Sequence, residues 1–513
     1  MMKKSLARDV LMMALATGVS RVLGLVRDAS IANSFGATAT YDAFLIAFYV
    51  PQLLRQLLAE GALSTAFVPI YAGLREVGED ADRFASNVLS ILLVLFPVVC
   101  AAGILFAPSY VPFLASGFSP EKLDLTVSLS RWLFPSIALV GFGAVFMGIL
   151  NARHRFFAAS FSPVWFNVGV ILGALVAAPH WPGLPIFGLA AGVLVGAAGQ
   201  TVSQLPSLRR TRFRFSFTLL PLHPDVLILA RRMMPAVVVL AMADINLLVD
   251  NKFASYLADG NIASLQYAMR LFQLPLGVFA VSIGTALLPR LAVADVKGDP
   301  TRFRRYFSDG LAATALILVP ATVGLILLGD PVVRLLFERG SFTAADTART
   351  YAVLVSYSFG LLAYGWDYLG VRACYALGRT AIPIVGAVAS MAVNAVLDAV
   401  LVGPLGAPGL ALASAIAGAV DAAVLFVFLR RYVSWRPLAP RLAFIGGGTL
   451  LMAGAVVCVG WALPDSSPLV VVFVPMLVGL LAYGLFVRAT PLWRLLRRRS
   501  EPAADEAGTT SQR

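Results

Sequence analysis

The sequence predicts an all-α polytopic membrane protein with about fourteen transmembrane helices. Its 513 residues are 59% hydrophobic and only 13% charged, with a mean hydropathy of +0.84. Such a composition is typical of membrane-embedded chains rather than soluble enzymes. Turn signals also divide the chain into about fourteen apolar segments, each near the length of roughly 20 residues that crosses the hydrocarbon core.

The segments follow one another with short connections and leave no soluble domain of ordinary size. An even number of spans places both chain ends on the same side of the membrane. The approximate ranges are 10–35, 41–70, 84–108, 129–150, 160–178, 185–205, 230–258, 262–290, 308–328, 350–376, 380–402, 406–429, 440–463 and 467–488.

The basic residues predict the orientation. They concentrate at both ends of the chain and in alternate loops, including Arg209 to Arg214 and Arg302 to Arg305, and such loops face the cytoplasm. We therefore expect a multi-pass membrane protein with both termini in the cytoplasm. The formal charge of +13 then reflects topology and anionic lipid headgroups, and it gives no support to nucleic-acid binding.

An internal repeat at an offset of about 221 residues indicates two similar halves, as in transporters that work by alternating access around a central cavity. Each half holds six spans, so the copies insert in the same orientation. The matched pairs include Thr65-Ala66 with Thr285-Ala286, Arg83-Phe84 with Arg302-Phe303, and Leu208-Arg209-Arg210 with Leu429-Arg430-Arg431. The predicted organisation is an N-terminal lobe at 1–215, a C-terminal lobe at 216–432, two further helices at 433–492, and a disordered cytoplasmic tail at 493–513.

Charged residues inside the apolar segments mark the candidate site, because a charge at membrane depth is costly and usually faces an internal cavity. They are Arg21, Arg27, Asp28, Asp42, Arg55, Asp250 and Arg270. Converging guanidiniums suit a diphosphate, whose oxygens they bind bidentately. The alternatives are an internal ion pair that locks helices together and, for Arg55 with Glu60 behind it, snorkelling to the interface.

A second group of polar residues offers only oxygen ligands. Asn394 and Asp398 stand at i and i+4 on one predicted helix, Ser414 lies on the next, and Asp250 lies in the seventh span. Carboxylate, amide and hydroxyl oxygens favour a hard cation, so a sodium or proton site is one reading. Interhelical hydrogen bonding is the other.

Four motifs of the first half resemble the MurJ (MviN) family of lipid II flippases. They are Ser20-Arg21-Val22-Leu23-Gly24-Leu25-Val26-Arg27-Asp28, Tyr41-Asp42-Ala43-Phe44, Pro51-x-x-Leu54-Arg55, and Ala59-Glu60-Gly61-Ala62-Leu63-Ser64-x-Ala66-Phe67-Val68-Pro69. The resemblance implies the fold of the multidrug/oligosaccharidyl-lipid/polysaccharide (MOP) exporters, and movement of lipid II from the cytoplasmic to the outer leaflet. It departs from the family pattern at Gln56 and Met269.

The resemblance also implies roles for residues. Substrate binding falls to Arg21, Arg27, Arg55 and Arg270, with Asp28, Asp42 and Glu60 nearby. The last two helices are expected to form a groove for the lipid tail. A sodium site is implied at Asp250, Asn394, Asp398, the Leu410 carbonyl and Ser414.

The function expected from the resemblance is transport rather than catalysis. Lipid II and membrane lipids are the implied partners, with the cell-wall synthesis machinery as a further possible one. No cofactor is required, and sodium, protons or the membrane potential could drive the cycle, since one charge crossing 100 mV is worth about 2.3 kcal/mol. The alternatives are a MOP exporter of another lipid-linked polysaccharide, a drug antiporter, and an enzyme acting on a lipid-linked sugar. His154, His180 and His223, the only histidines, lack the spacing of a catalytic or metal site.

Overall fold

The computed structural model describes residues 2–57, 62–78, 80–296, 298–463 and 467–493. Every regular element in these ranges is helical, as the sequence predicts. The chain divides into two compact units. The first unit comprises Met1–Ala263 and Phe337–Asp346, and the second comprises Ser264–Leu336 and Thr347–Arg513.

The first unit is built on ten helices in its described ranges. They are α1 (Met2–Phe35), α2 (Ala39–Arg55), α3 (Ala62–Glu76), α4 (Ala81–Leu114), α5 (Pro120–Leu133), α6 (Pro135–Ala152), α7 (Phe156–Leu172), α8 (Ile186–Val202), α9 (Leu205–Arg210) and α10 (Pro224–Ala254). A core of buried side chains from α3, α4, α6 and α10 includes Phe67, Phe84, Phe96 and Leu229. Aromatic and aliphatic groups recurring on one helical face form this core.

The remaining helices belong mostly to the second unit. They are α11 (Asn261–Pro275), α12 (Val281–Val296), α13 (Pro300–Phe337), α14 (Ala344–Ser358), α15 (Leu361–Ala376), α16 (Ala381–Leu405), α17 (Ala407–Leu429), α18 (Trp435–Trp461) and α19 (Pro468–Ala489). Its main core joins α12, α13, α15 and α17 through residues such as Leu291, Phe307 and Leu425.

Some predicted spans are each divided between two helices. Span 129–150 falls in α5 and α6, and 350–376 is α14 and α15. In span 41–70, residues 58–61 between α2 and α3 lie outside the described residues. Pro135 at the first position of α6 has no amide hydrogen for helix bonding, which explains the break there. Ten helical stretches of the described chain are long and apolar enough to cross a membrane, and the count of fourteen stays a prediction.

The same helix cap is used twice, at positions that the sequence repeat matches. Asp80 accepts a hydrogen bond from the Arg83 amide at 3.0 Å, next to the start of α4. Asp299 accepts one from the Arg302 amide at 2.9 Å, next to the start of α13. Each carboxylate satisfies an amide that has no partner within its helix.

A second contact also occurs in both halves. It holds the segment that follows the sixth predicted span of each half. The Ser216 amide donates to Oγ of Ser86 on α4 at 3.2 Å. The Ser434 amide donates to Oγ of Ser308 on α13 at 2.9 Å. The two units therefore share this contact as well as the helix cap, which agrees with a duplicated architecture.

The bounds of the two units differ from those of the predicted lobes. α10 packs with the first unit, through Leu229, Val226 and Met233, although the second sequence copy begins before it. The helices at 433–492 pack on α13, where the Tyr483 hydroxyl donates to the Leu316 carbonyl at 2.8 Å. The lobe boundaries and the lipid groove stay predictions, and the predicted disordered tail lies outside the described residues.

Candidate functional site

Arg27 on α1 is held by two neighbours. Its Nε and Nη2 atoms donate to Oδ1 of Asp28 at 2.9 and 2.7 Å. Its Nη1 donates to the Oδ1 atom of Asn167 on α7 at 3.2 Å. Both side chains of the ion pair are largely buried, at 17% and 11% exposure. Arg27 is thus fixed in direction, with its charge partly balanced by an acid from its own helix.

Arg55, the last residue of α2, contacts Phe166 of α7, the residue next to Asn167. Its guanidinium lies over the Phe166 ring, 5.2 Å from the centroid, which is cation–π geometry. Because Phe166 and Asn167 are consecutive, Arg27 and Arg55 both contact one short stretch of α7. Two of the four predicted arginines are therefore arranged around α7. Arg21, on α1 as well, has an exposed side chain.

Asp42 lies away from this stretch, near the opposite end of α2. Thirteen residues of helix separate it from Arg55, which is about 20 Å at 1.5 Å per residue. Its carboxylate is 1% exposed and accepts bonds from the Gly260 and Ala263 amides at 2.7 and 2.8 Å. The Lys122 ammonium donates to it at 3.2 Å. Asp42 thus joins α2 to α5 and to the start of α11, and its predicted contact with substrate stays a prediction.

Arg270 lies on α11 in the second unit and is partly buried. Five residues later Pro275 is followed by a π-helical turn, Leu276–Ala280. Gln56 and Leu57, directly after Arg55, are also π-helical, at the equivalent position of the first half. Both halves therefore have an irregular helical turn at this position. Glu60 lies outside the described residues.

Four of the five residues predicted for the cation site lie in the second unit. Asn394 and Asp398 on α16 are fully buried, and the Asn394 Nδ2 atom donates to Oδ2 of Asp398 at 2.9 Å. Leu410 and Ser414 on α17 are buried too, at 0% and 3% exposure. The i, i+4 spacing on each helix puts both residues on one face. Asp250 is buried on α10, in the first unit.

Three residues next to the predicted ones were missed by the sequence reasoning. Asn167 carries a side-chain amide in the largely apolar segment 160–178. That feature alone could have identified it as a candidate site residue. Phe166 gave no signal, since an aromatic residue in such a segment is ordinary. Lys122 lies between predicted spans, so its contact with the buried Asp42 could not be expected.

Helices of membrane-crossing length, with guanidiniums and carboxylates held within them, define a multi-pass membrane transporter. Solved structures support this class. A transporter of the multidrug resistance MATE family, in the MOP superfamily, aligns over 83% of this chain and 96% of its own at a TM-score of 0.70 and 17% identity, which shows the shared fold. The inward closed conformation of lipid II flippase MurJ aligns over 95% of this chain and 100% of its own at a TM-score of 0.80 and 28% identity.

The sequence relatives agree with that structure. The lipid II flippase MurJ of Burkholderia cenocepacia is 32% identical, over 88% of this chain and 89% of the relative. A probable lipid II flippase MurJ from Rhizobium meliloti is 34% identical over 88% and 86% of the two chains. The family model for lipid II flippase MurJ matches residues 31–479, and the chain belongs to that family.

Proposed function

We propose that this protein moves lipid II from the cytoplasmic to the outer leaflet of the bacterial cytoplasmic membrane, with both termini in the cytoplasm. Family membership over residues 31–479 supports the activity. The concentration of basic residues in alternate loops supports the orientation.

The diphosphate of lipid II binds Arg21, Arg27, Arg55 and Arg270. The observation that carries this proposal is the arrangement of Arg27 and Arg55 around Asn167 and Phe166 of α7. A dianion in an apolar membrane requires compensating positive charge, and a guanidinium supplies it together with directed hydrogen bonds.

Asp28 balances Arg27 while the site is empty. One of its oxygens, Oδ1, accepts both hydrogen bonds from Arg27. An incoming phosphate competes with this carboxylate for the same Nε and Nη2 donors. Binding therefore exchanges one anionic partner for another, which lowers the cost of holding a buried guanidinium before substrate arrives.

Release on the outer side follows by alternating access, with the prenyl tail remaining in lipid. A sodium ion is the proposed coupling ion. Asn394, Asp398, the Leu410 carbonyl and Ser414 in the second unit would bind it, with Asp250 of the first. The buried donors are all oxygens, which fits a hard cation, and such an ion would stabilise the fully buried Asp398 carboxylate.

The test uses cells depleted of their own flippase and a leaflet-specific measurement of lipid II. The wild-type chain is expected to restore outward movement, whereas Arg27→Ala and Arg270→Ala insert normally and leave lipid II on the cytoplasmic side. Arg75→Ala is the matched control, because Arg75 is an exposed guanidinium whose bond is to the Ala152 carbonyl. Normal growth of the Arg270→Ala strain would refute the proposed binding site.

A further inference from the structure

An extended segment between α9 and α10 is fastened along α4. This segment, residues 213–220, is called the strap here. The Ser216 and Thr218 amides donate to Oγ of Ser86 and Ser90 at 3.2 and 3.0 Å. The Asn87 side chain donates to the Leu220 carbonyl at 2.9 Å and accepts from the Leu220 amide at 2.8 Å.

These bonds fix which way the strap faces. The side chains of Ser86, Asn87 and Ser90 are at most 3% exposed, so the fastening is part of the protein interior. Phe213, at the first position of the strap, packs against the core of the first unit. The strap is therefore held in place against α4 and the core of the first unit.

The outward side chains are large and apolar. Beyond Phe213, the large apolar residues of the strap are exposed, and they include Phe215, Phe217 and Leu219. They are 51%, 61% and 45% exposed, and Leu222 just beyond the strap is 80% exposed. Soluble monomers rarely expose large apolar side chains as a group without a partner.

Four arginines accompany this face. Arg209, Arg210, Arg212 and Arg214 are all exposed and lie immediately before or within the strap. Apolar rings beside a group of guanidiniums form the pattern of interfacial segments, in which the rings enter the acyl boundary and the cations contact lipid phosphates. The negative charge of lipid phosphates accounts for the exposed arginines. A hydrophobic protein partner would not account for them.

The position of the strap along α4 agrees with a location at the membrane interface. With 34 residues α4 is about 51 Å long, whereas the hydrocarbon core is about 30 Å thick. Ser86 and Ser90 lie in the first third of the helix, so the strap is close to the end of α4 rather than to its middle.

We propose that the strap is a docking surface for anionic phospholipid in the cytoplasmic leaflet, with Phe215, Phe217 and Leu219 inserted at the acyl boundary and the four arginines on the phosphates. The surface is separate from the proposed lipid II site and does not depend on transport activity.

The test places a spin label on the full-length protein in nanodiscs that contain no lipid-linked diphosphate. Cys458 is exposed and is replaced by serine, while Cys100 and Cys374 are buried and stay. Labels are attached in Phe217→Cys and, as the control at the adjacent position, whose amide is bonded to Ser86, in Ser216→Cys. Relaxation by oxygen, which partitions into lipid, is compared with relaxation by a water-soluble nickel chelate.

The label at position 217 is expected to be several-fold more accessible to oxygen than to the nickel chelate, and deeper than the label at 216. Phosphatidylglycerol discs should deepen it relative to phosphatidylcholine discs. Replacing all four arginines by glutamine should remove that difference. A label at 217 that is as exposed to nickel as the label at 216, or that has the same depth in both lipids, would overturn the proposal.

Discussion

Asn167 of α7 accepts a hydrogen bond from the Arg27 guanidinium at 3.2 Å and also holds the backbone of the helix that carries Arg27. Its Nδ2 atom donates to the Ser20 carbonyl at 3.2 Å. One amide therefore ties α7 to α1 and aims a proposed substrate-binding cation. Positioning of this kind is what fixed recognition of a phosphate group requires.

Asn167→Ala is expected to weaken lipid II binding about tenfold or more, since a hydrogen bond to a charged group contributes about 1.5–3 kcal/mol. The measurement is lipid II affinity of the purified protein. Ser162→Ala on the same helix is the control, because its hydroxyl bonds only to the Ala159 carbonyl within α7. Unchanged affinity in Asn167→Ala would show that Asn167 has no part in binding.

Asp42→Asn is expected to destabilise the protein by about 3 kcal/mol, because it leaves the Lys122 ammonium without its buried partner. Asp259→Asn removes the other carboxylate of the same lysine, at 2.7 Å, but that side chain is 65% exposed. Its expected cost is below about 1 kcal/mol. Unfolding in detergent, monitored by fluorescence, measures both, and equal effects would contradict the assignment of Asp42 as the buried partner.

Gly192→Ala is expected to lower the melting temperature clearly, because α7 and α8 meet through glycines. A Cβ atom at position 192 would lie 2.5 Å from the Gly173 Cα atom, and neither backbone can yield cheaply. Gly199→Ala on the same helix is the control, since the nearest atom to its Cβ would be the Trp165 Cβ at 3.4 Å, an ordinary contact distance. A melting temperature for Gly192→Ala within error of this control would refute the close-packing argument.

Asp398→Ala is expected to abolish any stabilisation of the protein by sodium. Melting temperature is measured across sodium concentrations, with potassium maintaining ionic strength. Ser390→Ala is a suitable control about two turns away on α16, because its hydroxyl donates to the Ala417 carbonyl at 2.9 Å and is not among the proposed ligands. Sodium dependence that persists in Asp398→Ala would eliminate the proposed cation site.

Helix type and the repeat were predictable because both depend on pattern. Apolar segments of spanning length indicate helices wherever a membrane excludes unpaired backbone groups. The matched pair Arg83-Phe84 and Arg302-Phe303 indicated the duplication, and the aspartate cap next to each member agrees with it. Helix breaks were less predictable, since a single span and two helices in line have nearly the same composition.

The candidate site was predictable only in part. The cost of a charge at membrane depth singled out Arg27 and Arg55 from the sequence. The partners of these residues could not be found this way, because Asn167 is 140 residues from Arg27. Asp42 met the same criterion of an intramembrane charge, yet its observed partners are a lysine and two helix amides.

The sequence by itself determined that this protein is a helical, duplicated membrane chain of the MurJ family with cations at membrane depth, because hydropathy, charge and motif are written along the chain. Only the tertiary structure decided that Asn167 directs Arg27, that Lys122 and the start of α11 hold Asp42, and that Ser86 and Asn87 fasten the strap. Contacts between distant residues depend on how helices pack, and packing follows from the shapes of many side chains together rather than from any local pattern.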